Sequence, residues 1–152
     1  MVAKRHQRGV GLIDLIITLF LLATAGAIFS AAFPTAISAS RQAKEYKLAT
    51  AIAQRKMEQL RSMGYASLTQ PLLAINSVID SNSSESPNTF TFTSVDNIAS
   101  QITSGTGILE ITKVPSGVKK VRITITWMNN SNRQCSIQLT SLIADKRARA
   151  VS

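Results

Sequence analysis

Arg8-Gly9-Val10-Gly11-Leu12-Ile13-Asp14 opens an apolar run that continues to about Phe33 and decides how the rest of the chain is read. Lys4, Arg5, His6 and Arg8 form a short basic head in front of it. Gly9 closes the head, and one carboxylate, Asp14, follows five residues later. Residues 10–33 are long enough to cross a bilayer, because about 20 helical residues at 1.5 Å each cover the roughly 30 Å hydrocarbon layer. The same stretch also satisfies the pattern of a secretory signal, with small-x-small cleavage sites at Ala25-Gly26-Ala27 and Ser30-Ala31-Ala32. Signal, span or both remain open on these residues alone. In either case Lys4, Arg5 and Arg8 hold the N-terminus in the cytoplasm, and the remainder is exported.

Asp14 is the residue that an ordinary span does not require. A carboxylate at the centre of a membrane helix costs about 2.5–3.5 kcal/mol on insertion scales, and less near the interface, where it can snorkel toward water. A carboxylate in this setting calls for a cationic partner or a place near the headgroups.

Gly9-Val10-Gly11-Leu12-Ile13-Asp14 resembles the processing site of type IV prepilins and type II secretion pseudopilins. Members of that family carry a short basic leader ending in glycine, then a large apolar residue, and a glutamate at the fifth mature position. Here Val10 stands first in place of the usual phenylalanine, and Asp14 stands fifth in place of the glutamate. The resemblance covers residues 4 to about 64. It implies cleavage between Gly9 and Val10 by a prepilin peptidase, N-methylation of Val10, and assembly with other pilin or pseudopilin subunits on an inner-membrane platform. The new α-amino group is largely cationic at neutral pH. Asp14 would pair with that cation, on its own chain or a neighbour, and set the register of assembly. No cofactor and no metal are implied.

The rest of the chain follows outward from this segment. Pro34 is placed to kink a continuing helix or to mark its exit from the bilayer, and the resemblance favours the kink. From Thr35 to Met63 the sequence has no glycine and no second proline. Ala39, Ala43, Tyr46, Ala49, Ala53, Met57 and Leu60 recur in steps of three or four, the pattern of an amphipathic helix. Arg41, Lys44, Glu45, Lys47, Arg55, Lys56, Glu58 and Arg61 are assigned to its other faces. Gly64 is its expected C-cap. Residues 80–88 read as a polar surface loop.

Strands come next. Thr89-Phe90-Thr91-Phe92-Thr93 alternates, and residues 108–114 offer a second strand. Val121, Ile123, Ile125 and Trp127 form one face of a third, and Cys135, Ile137 and Leu139 the matching face of a fourth. Pro115-Ser116-Gly117 turns the second into the third, and Met128 to Arg133 links the last two as a hairpin. Gly105-Thr106-Gly107 is read as turn. The expected fold class is therefore α+β: a long N-terminal helix, half transmembrane and half amphipathic, packed on a small antiparallel sheet in the manner of a pilin. The expected organisation is a leader at 1–9, a span at 10–33, an amphipathic helix at 34–64 and a β domain at 65–152.

Composition removes most enzymatic chemistry from the expectation. The only histidine, His6, lies in the leader, so no serine or cysteine can be matched with a histidine base in the exported part. Cys135 is the only cysteine, which excludes an intramolecular disulfide and a multi-cysteine zinc site. It is expected as a buried small hydrophobe, and Trp127 and Phe90 as core. Asp80, Glu85, Asp96, Glu110 and Asp145 are scattered without ligand spacing. The net charge is +9, and removing the three leader cations leaves +6. A solvated basic surface is the expected reading, and the basic tail from Lys146 onward is expected to be a solvated end. Binding of nucleic acid, as in a DNA-capture pilin, is the alternative that the charge motivates. Asn82 and Asn129 match the N-glycosylation pattern and are read as turn residues.

Overall fold

The structure is a computed structural model that describes residues 11–81, 88–115 and 117–145. Its elements, in chain order, are α1 (Leu12–Ser67), α2 (Gln70–Ile75), β1 (Thr89–Thr91), α3 (Ile98–Gln101), β2 (Thr106–Val114), β3 (Val118–Met128) and β4 (Gln134–Ala144). The chain is thus α+β, with one long N-terminal helix and a four-stranded antiparallel meander in the order β1-β2-β3-β4. It divides into two compact units, Met1–Arg41 and Gln42–Ser152.

In the first unit, α1 keeps helical dihedrals through Pro34. Proline removes one backbone donor, and nearby hydroxyls bond to carbonyls of the same stretch: Thr35 Oγ1 donates to Ala32 O at 2.7 Å and Ser38 Oγ to Pro34 O at 2.9 Å. Such local bonds are how a helix tolerates an internal proline.

In the second unit, α1 has the stripe its sequence promises, although the stripe is displaced. Ala49, Ile52, Ala53, Lys56, Met57 and Leu60 are buried, steps of three and one that track one helical face. Ala39, Ala43 and Tyr46 are exposed instead. Gly64 breaks the helix in the left-handed region (φ 76°, ψ 172°), a conformation that glycine adopts without a Cβ clash. Lys119 Nζ then satisfies carbonyls just past the break, Tyr65 O at 2.9 Å and Leu68 O at 2.8 Å.

The sheet supplies the other half of the core. β3 alternates strictly, with Lys119, Val121, Ile123, Ile125 and Trp127 facing in. Leu109 and Ile111 of β2 and Ile143 of β4 join them, as do Phe90 and Phe92. The apolar members share one cluster with the apolar residues of the buried α1 stripe and with Leu68, Leu73, Val78, Ile98 and Ile102 from the connections. One sheet face is covered and the other faces water, as antiparallel sheets allow.

Some details depart from the sequence reading. Thr106 and Gly107 open β2 rather than forming a turn. Gly107 is needed there, because a Cβ would come within 2.6 Å of Ile98 Cδ1 and Phe92 Cε2. Two short helices, α2 and α3, stand within the stretch assigned to the β domain; α2 carries Pro71 in its first turn, where a missing N–H costs nothing. The hairpin between β3 and β4 is held by Asn129, whose Oδ1 accepts from Ser131 N at 3.0 Å and Arg133 N at 2.9 Å. That 8 %-exposed side chain is a turn element, in line with the turn reading of the Asn129 sequon. Asn82, most of the polar loop at 80–88, Ser116 and the tail from Lys146 lie outside the described residues.

Candidate functional site

The candidate site is the N-terminal segment of α1. Its two processing residues, Gly9 and Val10, and the leader cations Lys4, Arg5 and Arg8 lie outside the described residues. Asp14 is described. It sits in the first turn of α1, where its N–H donates to Gly11 O at 2.9 Å. A carboxylate there is favoured by the exposed amides of a helix start. Thr18 Oγ1 donates to the Asp14 carbonyl. The Asp14 side chain is exposed, and among the described residues its carboxylate makes no hydrogen bond or ion pair. The structure therefore brings Asp14, the one described site candidate, to the head of the helix.

The residues that follow Asp14 in this segment carry no charge, are mostly apolar and are uncovered. Leu12, Ile13, Leu22, Ile28, Phe29 and Phe33 are 64–77 % exposed. An 18-residue window in α1 reaches a mean hydropathy of 2.4 with none of it buried. The helix is long and apolar enough to cross a membrane. Its threonine hydroxyls bond within the helix; Thr24 Oγ1, for example, lies 2.9 Å from Leu21 O and 3.1 Å from Phe20 O. Ala23, Ala25, Gly26, Ala31 and Ala32 leave the surface smooth, and a Cβ built on Gly26 would meet nothing within 4 Å.

Several polar side chains in the second unit are committed to structure. Lys56 is 1 % exposed: its ammonium lies 3.0 Å from Asp96 Oδ1, donates to Val78 O at 3.1 Å and stands 5.1 Å from the centre of the Phe92 ring. The sequence reading put Lys56 on an outer face; the buried carboxylate and carbonyl that receive it come from distant segments and leave no local signal. Asp80 Oδ1 accepts from Ser94 N at 3.0 Å and Val95 N at 2.8 Å, in the wall of a shallow cavity of about 430 Å³. Glu45 Oε2 accepts from Trp127 Nε1 at 3.2 Å, and Tyr46 meets the Trp127 ring edge-on at 4.9 Å between centres. Glu110 pairs with Arg122 at 3.0 Å across β2 and β3.

Two groups have displaced titrations. The Tyr46 hydroxyl is raised above its ordinary value by a hydrogen bond with the Cys135 thiol, then by the thiol's charge and by burial. Lys119 is lowered by burial and then by Lys113. Cys135 itself is free and half-buried, less covered than expected because β4 has no neighbour on its far side. Among the described residues there is no group of three or more His, Cys, Asp or Glu side chains placed to hold a metal ion. Compared with known proteins, the chain matches no family model, no curated protein and no solved structure.

Proposed function

We propose that this chain is a structural subunit of a type IV pilus or a type II secretion pseudopilus, most like a minor subunit. It is cleaved after Gly9, N-methylated at Val10, and held in the inner membrane by residues 10–33 with the β domain exported. The subunit is not an enzyme. It works by packing: apolar helices associate in the filament interior and the sheet faces outward. Small residues such as Ala25, Gly26 and Ala32 let neighbouring helices approach, since packing rather than water exclusion drives association between apolar helices in lipid.

One observation carries this reading. Asp14 heads an otherwise apolar and uncovered helix, five residues past a glycine that closes a basic leader, and its carboxylate has no partner among the described residues. A carboxylate entering a low-dielectric helix bundle needs a cation, and the N-terminal amine released at Val10, on the same or a neighbouring chain, is the cation the sequence supplies. The fold is compatible with the reading, with a long N-terminal helix whose second part rests on an antiparallel sheet.

The test separates processing from assembly. Asp14→Ala should be cleaved and inserted normally, while its recovery in sheared filaments falls at least about tenfold, the loss expected when a buried charge pair loses one member. Asp14→Glu should restore incorporation. Wild-type recovery of Asp14→Ala would remove the carboxylate from the assembly mechanism.

A further inference from the structure

The outer face of α1 in the second unit carries cations that no carboxylate among the described residues neutralises. Lys44, Lys47 and Arg55 are exposed and, with Ala51, Gln54 and Glu58, fall within a narrow arc at 100° per residue, away from the buried stripe. Among the described residues none of the three makes an ion pair. The carboxylates of this part of α1 are engaged elsewhere: Glu45 accepts from Trp127, and Glu58 is paired with Arg61 at 3.0 Å. A cationic helix face with its local carboxylates already used is a surface suited to an anionic partner.

The chain itself limits which partner. Lys44 follows Phe33 by 11 residues, so connectivity alone keeps it within about 40 Å of the end of the apolar run. If residues 10–33 are in a bilayer, Lys44 is tethered near its headgroups at high effective concentration, and Lys47 and Arg55 follow it on the same helix. They also run against the usual bias, which places lysine and arginine on the cytoplasmic flank of a span rather than on the exported one.

We infer that Lys44, Lys47 and Arg55 form a juxtamembrane contact for anionic phospholipid headgroups on the exported leaflet, holding the domain at the membrane surface before assembly. The inference rests on the membrane-span part of the reading above and is independent of filament assembly. Each lysine or arginine near an anionic surface adds an attraction that fades within a screening length. The contact is therefore reversible and weakens as the anionic lipid is diluted.

The experiment uses the full chain in nanodiscs of neutral phosphatidylcholine, with and without phosphatidylglycerol. A spin label at Ala51→Cys, in a Cys135→Ser background, sits in the middle of the cationic face; a second label, at Leu22→Cys, reports the span. With phosphatidylglycerol, the label at 51 should lose about twofold or more of its collisions with a polar relaxation reagent. The loss should reverse in about 1 M salt, where the screening length is about 3 Å, and be absent in the K44Q/K47Q/R55Q chain. If the label at 22 is bilayer-buried in every disc and the label at 51 does not distinguish the two compositions, the inference is overturned while the span stands. A label at 22 that is open to the polar reagent overturns both. Salt-sensitive immobilisation of the label at 51 by duplex DNA, without a response to phosphatidylglycerol, would assign the face to nucleic acid and overturn the lipid contact.

Discussion

The two parts of α1 share a backbone and differ in everything that decides burial. Residues 12–37 are apolar on every side, and all of them are exposed. Residues 42–63 are mixed: a narrow stripe from Ala49 to Leu60 is buried, Leu48 and Met63 flank it half-buried, and the opposite face meets water. Helical geometry is indifferent to this contrast. A helix apolar all round needs a non-aqueous surrounding, whereas a helix with one apolar stripe needs only a sheet to lie on. The first part thus calls for lipid or other helices, and the second completes its core within its own unit.

Substitutions should treat the two parts as different materials. The largest effect is expected at Lys56. Lys56→Ala strands Asp96, only 13 % exposed, without its cation. It should cost about 3–5 kcal/mol, read as a lowered thermal midpoint of the domain. A Lys56→Met/Asp96→Leu double variant should recover much of that loss, because replacing both charges leaves nothing uncompensated. If the single and double variants were equally unstable, the ion pair would not be the source of the cost.

Next in size is a matched leucine pair. Leu60→Ala should destabilise the domain by about 2–5 kcal/mol, since Leu60 is 0 % exposed. Leu22→Ala, at a position 74 % exposed, should leave the domain's unfolding transition unchanged. Leu22→Lys should leave it unchanged as well and instead reduce membrane insertion, by about 2.5–3.5 kcal/mol on insertion scales. A domain destabilised by either Leu22 variant would mean that the two parts are not energetically separate.

The smallest effect concerns pH. Burial holds the folded-state titration of Lys119 below its ordinary 10.5, so between those values the unfolded chain binds more protons. Lys119 therefore contributes stability that rises with pH across that window. Tyr46 has the opposite sign: its raised titration contributes stability that is complete below 10.0 and is lost as pH rises through its folded value. In a Tyr46→Phe background, the stability difference between the chain and its Lys119→Met variant should move in favour of lysine as pH approaches 10.5. A flat difference would show that the ammonium is not penalised by burial.

Much of the fold is legible in the sequence because the signals are periodic. Val121, Ile123, Ile125 and Trp127 alternate, and they form the inner face of β3. Gly64 ends the regular helix where expected. What was not legible depends on partners far along the chain. Lys56 reads as an outer-face charge and nothing local marks Lys119 for burial, yet each is buried on groups that the fold delivers, Asp96 and Val78 O for one, Tyr65 O and Leu68 O for the other. With six and four residues, α2 and α3 are too short to show a helical period. Cys135 looked as interior as Ile123, but it lies on β4, where only one neighbouring strand covers it. The candidate site divides in the same way. The leader, Gly9 and Val10 speak only through sequence; the exposure of Asp14 and of the apolar run after it speaks through structure.

The central claim is that Gly9 marks a processing site and that the helix survives the cut. The intact mass of the chain recovered from membranes of cells that contain a prepilin peptidase tests it most directly. The account predicts a mature chain that begins at Val10 and carries one added methyl group. A chain that begins at Ile28 or Phe33, just after the small-x-small sites, would identify an ordinary secretory signal and contradict it.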